Sequence, residues 1–248
     1  MSFYVVIPMY NEAAYICDVL DSLAKQSDKD FKVVLVDNAS TDRTGQVVSA
    51  YCARSRLDID CIYEAQKGTG AAADTGFRYA IAQGATHIAR TDADCIVDVD
   101  WVRNIKHAFA DRDLALVGGV IRPRRDEGAL SFLDRALIPF LLVMADITGA
   151  WRRRGAEFLY PYFLVAGNNI AVTAEIYQQS GGFPRSRIED LHEDRELSEA
   201  IRKLTPRGER VHDVIVYNSL RRVREYGYVN TLLWYWDHHY SPQVVDVR

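Results

Sequence analysis

The alternation of short apolar runs with helical patterns constrains this chain more than any other feature. Strand-like runs at 4–8, 31–36, 59–63 and 87–90 are separated by segments with the apolar spacing of amphipathic helices. Strands that alternate with helices at this interval indicate βαβ units, hence an α/β fold with a mainly parallel central sheet flanked by helices. In such sheets ligands bind beyond the carboxyl ends of the strands, so function is sought first in the residues that follow each run.

The second half of the chain has a weaker periodic pattern. We predict a strand at 117–121, an apolar helix within 129–150 and a strand at 167–172, followed by helices at 174–179 and 193–204. No internal repeat, low-complexity stretch or linker rich in Pro, Gly or Ser divides the 248 residues. The sequence therefore predicts a single domain.

Charge and targeting signals exclude several classes of protein. Thirty Lys and Arg against 34 Asp and Glu leave a net charge of -4, too mild a balance to indicate a nucleic-acid binder. Four scattered cysteines without a CxxC pair are typical of reduced thiols. We recognise no secretory signal and no apolar window of about 18 residues that would form a transmembrane helix. We therefore expect a cytoplasmic protein that binds no nucleic acid.

Two carboxylates follow the fourth predicted strand directly, in the segment Asp92-Ala93-Asp94. Carboxylates one residue apart repel each other unless a cation or hydrogen-bond donors stabilise them. A hard divalent cation that keeps phosphate or water among its ligands suits such a pair. An acidic turn before a helix starting near Asp100 explains the same residues without a function, so the pair by itself leaves both interpretations open.

Further polar residues follow the other strands of the first half. Tyr10 and Glu12 come after the first strand, Asp37 ends the second, and Gly68-Thr69-Gly70 follows the third. The Gly-x-Gly-x-x-Gly fingerprint of dinucleotide-binding proteins is absent after the first strand, and the glycines after the third lack the Lys-Ser/Thr of a P-loop. The predicted edge thus carries polar side chains without either of these phosphate-binding signatures.

Five short motifs follow one another along the chain. They are Pro8-x-Tyr10-Asn11-Glu12, Val36-Asp37-Asn38-x-Ser40-x-Asp42-x-Thr44, Asp92-x-Asp94, Gly181-Gly182-Phe183 and Glu193-Asp194. Each motif alone is common, but their order and spacing over residues 3–225 resemble the family 2 glycosyltransferases of GT-A fold. The resemblance implies a Rossmann-like nucleotide-diphospho-sugar transferase fold and an inverting, metal-dependent transfer of a sugar to an acceptor hydroxyl.

The resemblance also implies a donor site at the strand ends. In that family the ends of the first two strands hold the nucleoside of the sugar nucleotide, and the Asp-x-Asp motif holds a cation on its diphosphate. The residues assigned in this way to the donor are Pro8, Tyr10, Glu12, Asp37, Gly68, Asp92, Ala93 and Asp94, with Asp94 and Asp92 as ligands of Mg or Mn.

The donor side has two further features: two residues that depart from the family pattern, and a pair of arginines. Gln66 and Asp74 stand where the family has asparagines, so the donor base is left open among uridine, guanosine and deoxythymidine, that is, UDP, GDP or dTDP sugars. Arg222, with Arg221 before it, resembles a family arginine that contacts the diphosphate. A solvated basic stretch explains the same pair, because Arg224 continues it.

The acceptor side lies in the second half. Glu193 and Asp194 precede Leu197 by four and three residues, so both should face the apolar side of a helix near its N-terminus, which favours ionised carboxylates. Capping of the helix explains them equally. The resemblance assigns the general base to Asp194 and acceptor contacts to Glu193 and Asn168, with a saccharide or lipid-linked acceptor.

Domain organisation follows from the same resemblance. Within one domain over 1–248, residues 1–120 would bind the nucleotide sugar, 121–225 would bind the acceptor and supply the base, and 226–248 would form a helical, aromatic tail. The apolar and basic segment 136–154 has three interpretations: buried core, the interface of a homodimer, or a peripheral contact with the inner face of the membrane.

Two other functions compete with sugar transfer. A sugar-nucleotide nucleotidyltransferase has a related fold, but it needs a Gly-rich loop with a basic residue after the first strand, and this chain has Pro8 to Glu12 there. A non-catalytic relative that binds nucleotide sugars or carbohydrates would need no general base. Retention of Asp37, Asp92, Asp94 and Asp194 together favours the enzyme.

Overall fold

The computed structural model describes residues 1–124, 126–127, 149–150, 155–185 and 192–221. Four earlier predictions lie wholly or mostly outside these ranges: the apolar helix within 129–150, the role of Arg222, the nature of segment 136–154, and the tail at 226–248. The single-domain organisation and the cytoplasmic location stay predictions. Within the described ranges, no helix is both long and apolar enough to cross a membrane.

The elements follow the predicted alternation. In chain order they are β1 (Phe3–Met9), α1 (Ile16–Ala24), β2 (Lys32–Asp37), α2 (Thr44–Cys52), β3 (Ile59–Tyr63), α3 (Thr69–Ala82), β4 (His87–Arg90), β5 (Ile96–Val97), α4 (Trp101–Arg112) and β6 (Leu116–Pro123). After a 3-10 turn at Gly167–Asn169 come β7 (Ile170–Thr173), α5 (Ala174–Gln179), α6 (Glu193–Leu204) and β8 (Gly208–Asn218).

The strands form one mixed sheet in the order β3-β2-β1-β4-β7-β6-β8-β5. β3, β2, β1 and β4 are mutually parallel, as predicted for the first half. β7 runs antiparallel to both β4 and β6, and β8 is parallel to β6 but antiparallel to β5. The α/β fold is confirmed, and the carboxyl ends of β1 to β4 share one edge of the sheet.

Helices cover both faces of the parallel strands, which is why β1 is buried along its whole length. Val5 packs with the core on one face of the sheet, and Val6 packs with the core on the other. On the second face α3 approaches closely because it is rich in small residues: a Cβ on Gly76 would lie 2.4 Å from Val6 Cγ1. This packing fixes the height at which α3 and its preceding loop meet the sheet edge.

β5 and β8 were not predicted. β8 buries Val211, Val214 and Val216 in the core. Charged residues in the strand interrupt its apolar pattern in the sequence. Its pairing with β6 shifts register between Gly118 and Val120, an irregularity that bends the strand. β8 ends at the same edge as β1 and β2 and so brings the residues after Asn218 to that edge.

Candidate functional site

Hydrogen bonds between side chains and backbone join the loops that follow β1 and β2. Asn11 adopts a left-handed backbone conformation (φ 55°), and its Oδ1 accepts hydrogen bonds from the amides of Thr41 at 2.8 Å and Asp42 at 3.2 Å. The amide of Glu12 donates to Thr44 Oγ1 at 2.8 Å. Asn11, Asp42 and Thr44, three motif residues, therefore tie the two loops to each other.

The loop after β3 is tied to the end of β2 by Asn38. Its Nδ2 donates to the carbonyl of Gln66 at 2.7 Å, and its Oδ1 accepts from the amide of Gly68 at 2.8 Å. Gly68 has φ 139°, a conformation that L side chains rarely adopt, which explains a glycine at this position. Lys67 lies over the ring of Tyr10, 5.1 Å from its centroid, so the two loops meet.

The predicted nucleoside contacts lie together at this edge. Pro8 is paired with Val36 across β1 and β2, and Met9 is paired with Asp37. Tyr10 and Asp37 are half-buried. One oxygen of the Asp37 carboxylate accepts from the amide of Ser40 at 3.0 Å, which fixes the orientation of the side chain.

Gln66 and Asp74, the departures from the family pattern, anchor the segment around Phe183 instead. Asp74 is buried and accepts hydrogen bonds from Tyr177 Oη and Arg78 Nε, both at 2.9 Å. Gln66 Nε2 donates to the carbonyl of Arg185 at 2.6 Å. In this arrangement both side chains bond to other parts of the protein, and neither is held ready to contact a nucleoside.

Arg90, the last residue of β4, forms the inner charge cluster of the site. Its side chain is 2% exposed, and its Nη1 donates to Glu193 Oε1 at 3.1 Å. Its Nε and Nη2 each lie 3.2 Å from Asp92 Oδ1. The ring of Phe183 covers the guanidinium, with its centroid 5.4 Å from Cζ. A single buried cation thus joins the Asp-Ala-Asp segment to the start of α6.

The two carboxylates at the start of α6 differ in their surroundings. Glu193 is buried, which raises its pKa, while the charge of Arg90 opposes that rise. Asp194 is half-buried, and its Oδ2 accepts from the amide of Gly167 at 2.8 Å. A Cβ on Gly167 would lie 3.0 Å from Arg90 Cζ, so a glycine is needed for the turn to pass over the guanidinium.

Arg221 forms the outer charge cluster. Its Nη1 lies 2.9 Å from Glu12 Oε2, and its Nε lies 3.1 Å from Asp94 Oδ2. The guanidinium sits over the ring of Tyr15, 4.9 Å from the centroid. Burial raises the pKa of Glu12, Arg221 lowers it, and the carboxylates of Asp94 and Asp92 raise it further. Negative charge is therefore crowded at this point of the edge.

The residues around Asp92 and Asp94 fit a hard divalent cation. Asn168 is buried, and its Oδ1 has no hydrogen-bond partner among the residues that the structure describes. Its Nδ2 lies 3.7 Å from the thiol of Cys95, which in turn lies 3.7 Å from Asp94 Oδ1. Carboxylate and amide oxygens are the ligands that Mg²⁺ and Mn²⁺ take in proteins. No three His, Cys, Asp or Glu converge on one point in the part of the chain described, so a cation here would draw further ligands from water or phosphate.

Sequence reasoning missed Arg90, and it assigned the diphosphate contact to Arg222 with Arg221 before it, an assignment that stays a prediction. The signal for Arg90 was present: a charged residue inside an otherwise apolar buried strand needs a partner. Among the described residues Arg221 reaches Asp94, whereas Arg222 lies outside them. Arg124, also overlooked, donates from Nη1 to the carbonyl of Asp94 at 3.1 Å and supports the Asp-Ala-Asp turn.

Comparison with known proteins agrees with this architecture. The sequence model described as Glycosyl transferase family 2 matches residues 4–165. The glycosyltransferase GlyG of Streptococcus pneumoniae serotype 4 is 24% identical over 166 residues, which cover 64% of this chain and 54% of GlyG. The chain thus spans about half the length of this curated relative.

Two solved structures share the fold. The Staphylococcus aureus TarS fragment 1-349 in complex with UDP-GlcNAc superposes with a TM-score of 0.66 at 19% identity, covering 88% of this chain and 58% of that one. The mannosyltransferase PcManGT from Pyrobaculum calidifontis in complex with GDP-Man and Mn²⁺ gives a TM-score of 0.65 at 24% identity, covering 92% of this chain and 61% of that one.

Proposed function

The chain belongs to glycosyltransferase family 2, and from that premise we propose that it transfers a sugar from a nucleoside-diphosphate sugar to an acceptor hydroxyl. Asp194 acts as the general base, and Asp94 and Asp92 hold Mg or Mn. The observation that carries the proposal is the placement of these carboxylates at one edge of the sheet: Arg90 joins Asp92 to Glu193, the residue before Asp194, and Arg221 contacts Asp94.

The donor occupies the ends of β1 to β3 in this proposal. Pro8, Tyr10, Asp37 and Gly68 line the nucleoside side, and the ordered loops described above hold them in place. The TarS structure holds UDP-GlcNAc and the PcManGT structure holds GDP-Man, which supports a nucleotide sugar as the donor class. The base stays open among UDP, GDP and dTDP.

The chemistry assigned to the chain's own residues is proton removal and charge stabilisation. Asp194 takes the proton of the attacking hydroxyl, and its Oδ2, held by the amide of Gly167, fixes the direction from which it does so. The N-terminus of a helix favours negative charge, which suits a carboxylate base at the start of α6. A cation bound at Asp94 and Asp92 would neutralise charge on the departing diphosphate.

One base without an enzyme nucleophile corresponds to a single in-line displacement with inversion at the anomeric carbon. The acceptor, a saccharide or a lipid-linked sugar, approaches from the side of Asn168 and Glu193. The Oδ1 of Asn168, which has no partner within the described ranges, can accept a hydrogen bond from an acceptor hydroxyl or bind the cation, and either contact would satisfy it.

Asp194→Asn tests the proposal directly. Release of the nucleoside diphosphate from UDP-GlcNAc, GDP-mannose and dTDP-glucose is measured with Mn²⁺, along with the thermal shift that each nucleotide produces. We expect the variant to lose at least about 100-fold in turnover while its thermal shift with the preferred nucleotide stays that of the wild type. Asp100→Asn, at the start of α4 and outside the site, is the matched control.

Two outcomes would overturn the proposal. Undiminished turnover of the Asp194→Asn variant would show that Asp194 is not the general base. Absence of a thermal shift with all three nucleotides in the presence of Mn²⁺ would instead favour a non-catalytic relative that binds carbohydrate.

A further inference from the structure

Arg221 joins two carboxylates that come from different loops. Glu12 follows β1 and Asp94 follows β4, and Arg221 itself lies 209 residues after Glu12 in the chain. The guanidinium divides its donors between them: Nη1 and Nη2 bond to Glu12, whereas Nε faces Asp94 Oδ2 at 3.1 Å. One residue thereby supplies positive charge to the carboxylate assigned to the cation.

The position of Arg221 allows it to move, unlike that of Arg90. Arg90 is 2% exposed and is covered by Phe183, and its ion pair with Glu193 is enclosed, because that side chain is only 8% exposed. The side chain of Arg221 is 18% exposed and lies at the rim of the site, directly after β8. Because the guanidinium is rigid and planar, it moves as one unit, and a turn of Nε from Asp94 to another acceptor also shifts the two Nη atoms that bond to Glu12.

Like charges set the consequence for a divalent cation. A cation at Asp94 and a guanidinium against the same carboxylate repel each other, and this repulsion is strong where little water screens it. A diphosphate arriving with the cation brings negative oxygens that suit a planar guanidinium. When cation and nucleotide are both bound, the guanidinium of Arg221 is therefore placed more favourably against the diphosphate than against Asp94.

We propose that Arg221 is a positioning residue that stands in for the cation at Asp94 and passes to the diphosphate when cation and nucleotide bind. This inference rests on the proposed function and adds to it an exchange between two states of one side chain. It predicts effects of opposite sign. Removing Arg221 strengthens binding of the cation alone and weakens binding of the nucleoside diphosphate in the presence of the cation.

The test measures two affinities in four proteins. Free Mn²⁺ is followed by electron paramagnetic resonance during titration of the wild type, Arg221→Met, Arg221→Lys and Arg103→Met, without nucleotide. UDP, GDP and dTDP are then titrated calorimetrically at saturating Mn²⁺. Arg103 is half exposed on α4, where it pairs with Asp100, and serves as the matched control.

We expect Arg221→Met to bind Mn²⁺ alone about threefold to tenfold more tightly than the wild type, in the range of ordinary coupling between two sites. The same variant should bind the preferred nucleoside diphosphate at least about tenfold more weakly, since a charge-assisted contact is lost. Arg221→Lys keeps the charge but cannot reach both carboxylates, so both of its effects should be smaller. Arg103→Met should match the wild type in both titrations.

The inference fails if Arg221→Met and Arg221→Lys, both folded by circular dichroism, bind Mn²⁺ no more tightly than the wild type. It also fails if the two affinities change in the same direction. Either result, with a wild type that binds Mn²⁺ and a nucleotide, leaves the proposed function intact. A wild type that binds none of the three nucleotides overturns the proposed function itself. If Arg221→Met does not fold, the same comparison rests on Arg221→Lys.

Discussion

Arg90 and Arg221 solve the same electrostatic problem in two different places. Each arginine joins one carboxylate of the Asp-Ala-Asp segment to a carboxylate from a distant element: Arg90 joins Asp92 to Glu193, and Arg221 joins Asp94 to Glu12. Arg90 is enclosed beneath the site, whereas Arg221 lies at its rim. The Arg90 cluster therefore fixes the scaffold of the site, whereas the Arg221 cluster remains adjustable.

The energetic consequences differ for the same reason. Removing one partner of an enclosed ion pair leaves a charge with neither water nor counter-ion, which destabilises a protein strongly. The side chain of Arg221 is 18% exposed, against 2% for Arg90, so it keeps some water when its pairs break. The buried Glu12 can take up a proton, so the loss of these pairs matters less to folding. Arg90 should therefore affect stability more, and Arg221 should affect binding more.

The largest effect is expected for Arg90→Met. The substitution keeps most of the buried volume but leaves Glu193 without its cation, so we expect the free energy of unfolding to fall by about 3–5 kcal/mol. Urea unfolding followed by circular dichroism measures it. The double variant Arg90→Met/Glu193→Gln should recover part of the loss, and a single-variant loss under about 1 kcal/mol would show that the cluster is not enclosed.

Gly167→Ala probes how tightly the turn closes over Arg90. The added Cβ would lie 3.0 Å from the Arg90 guanidinium, so the turn or the arginine must shift, and we expect a loss of about 1–3 kcal/mol. Gly45→Ala is the matched control, because its Cβ would meet nothing within 4 Å inside α2 and should stabilise the helix slightly. Equal behaviour of the two variants in thermal unfolding would contradict a close fit at Gly167.

The pH dependence of Arg90→Met sharpens the comparison further. Burial already raises the pKa of Glu193 in the folded protein above its ordinary 4.5, and removing Arg90 takes away the charge that opposes the rise. A raised folded-state pKa means that stability is lost as the pH rises above the unfolded value. The destabilisation by Arg90→Met should thus be greater at pH 8 than at pH 5, by about 1–2 kcal/mol. A constant difference between the two proteins across this range would exclude Glu193 as the cause.

The smallest effect on stability is expected for Arg221→Met. Glu12 can take up a proton when the arginine is removed, and the rim admits water, so we expect a loss of about 1 kcal/mol. Urea unfolding of this variant beside Arg90→Met tests the ranking. A loss as large as that of Arg90→Met would show that both arginines are structural and would remove the contrast between them.

Local patterns revealed most of the donor half. The strands at 59–63 and 87–90 were predicted with their observed bounds, because short apolar runs between turn residues are readable without tertiary information. β8 was missed because charged residues interrupt its apolar pattern and its partners, β6 and β5, lie far away in the sequence. A strand of this kind is defined by its pairing rather than by its own composition.

The site was predictable residue by residue but not as a set of contacts. Asp92, Asp94 and Asp194 stood out through short motifs, yet the partners that hold them did not. Arg90 and Glu193 are 103 residues apart, and no local pattern encodes a bond over that distance. The fold supplies this information, because it brings the end of β4 and the start of α6 to one edge of the sheet.

The late position of β8 in the chain affects the order in which the parts of the site form during synthesis. The arginine that completes the rim emerges from the ribosome 209 residues after the glutamate that receives it. Chains fold from the N-terminus as they are made, and long-range pairings close last. The four parallel strands can associate early, but the charge balance around Asp94 is complete only after β8 has docked. A nascent chain therefore carries the framework of the site well before it carries the finished site.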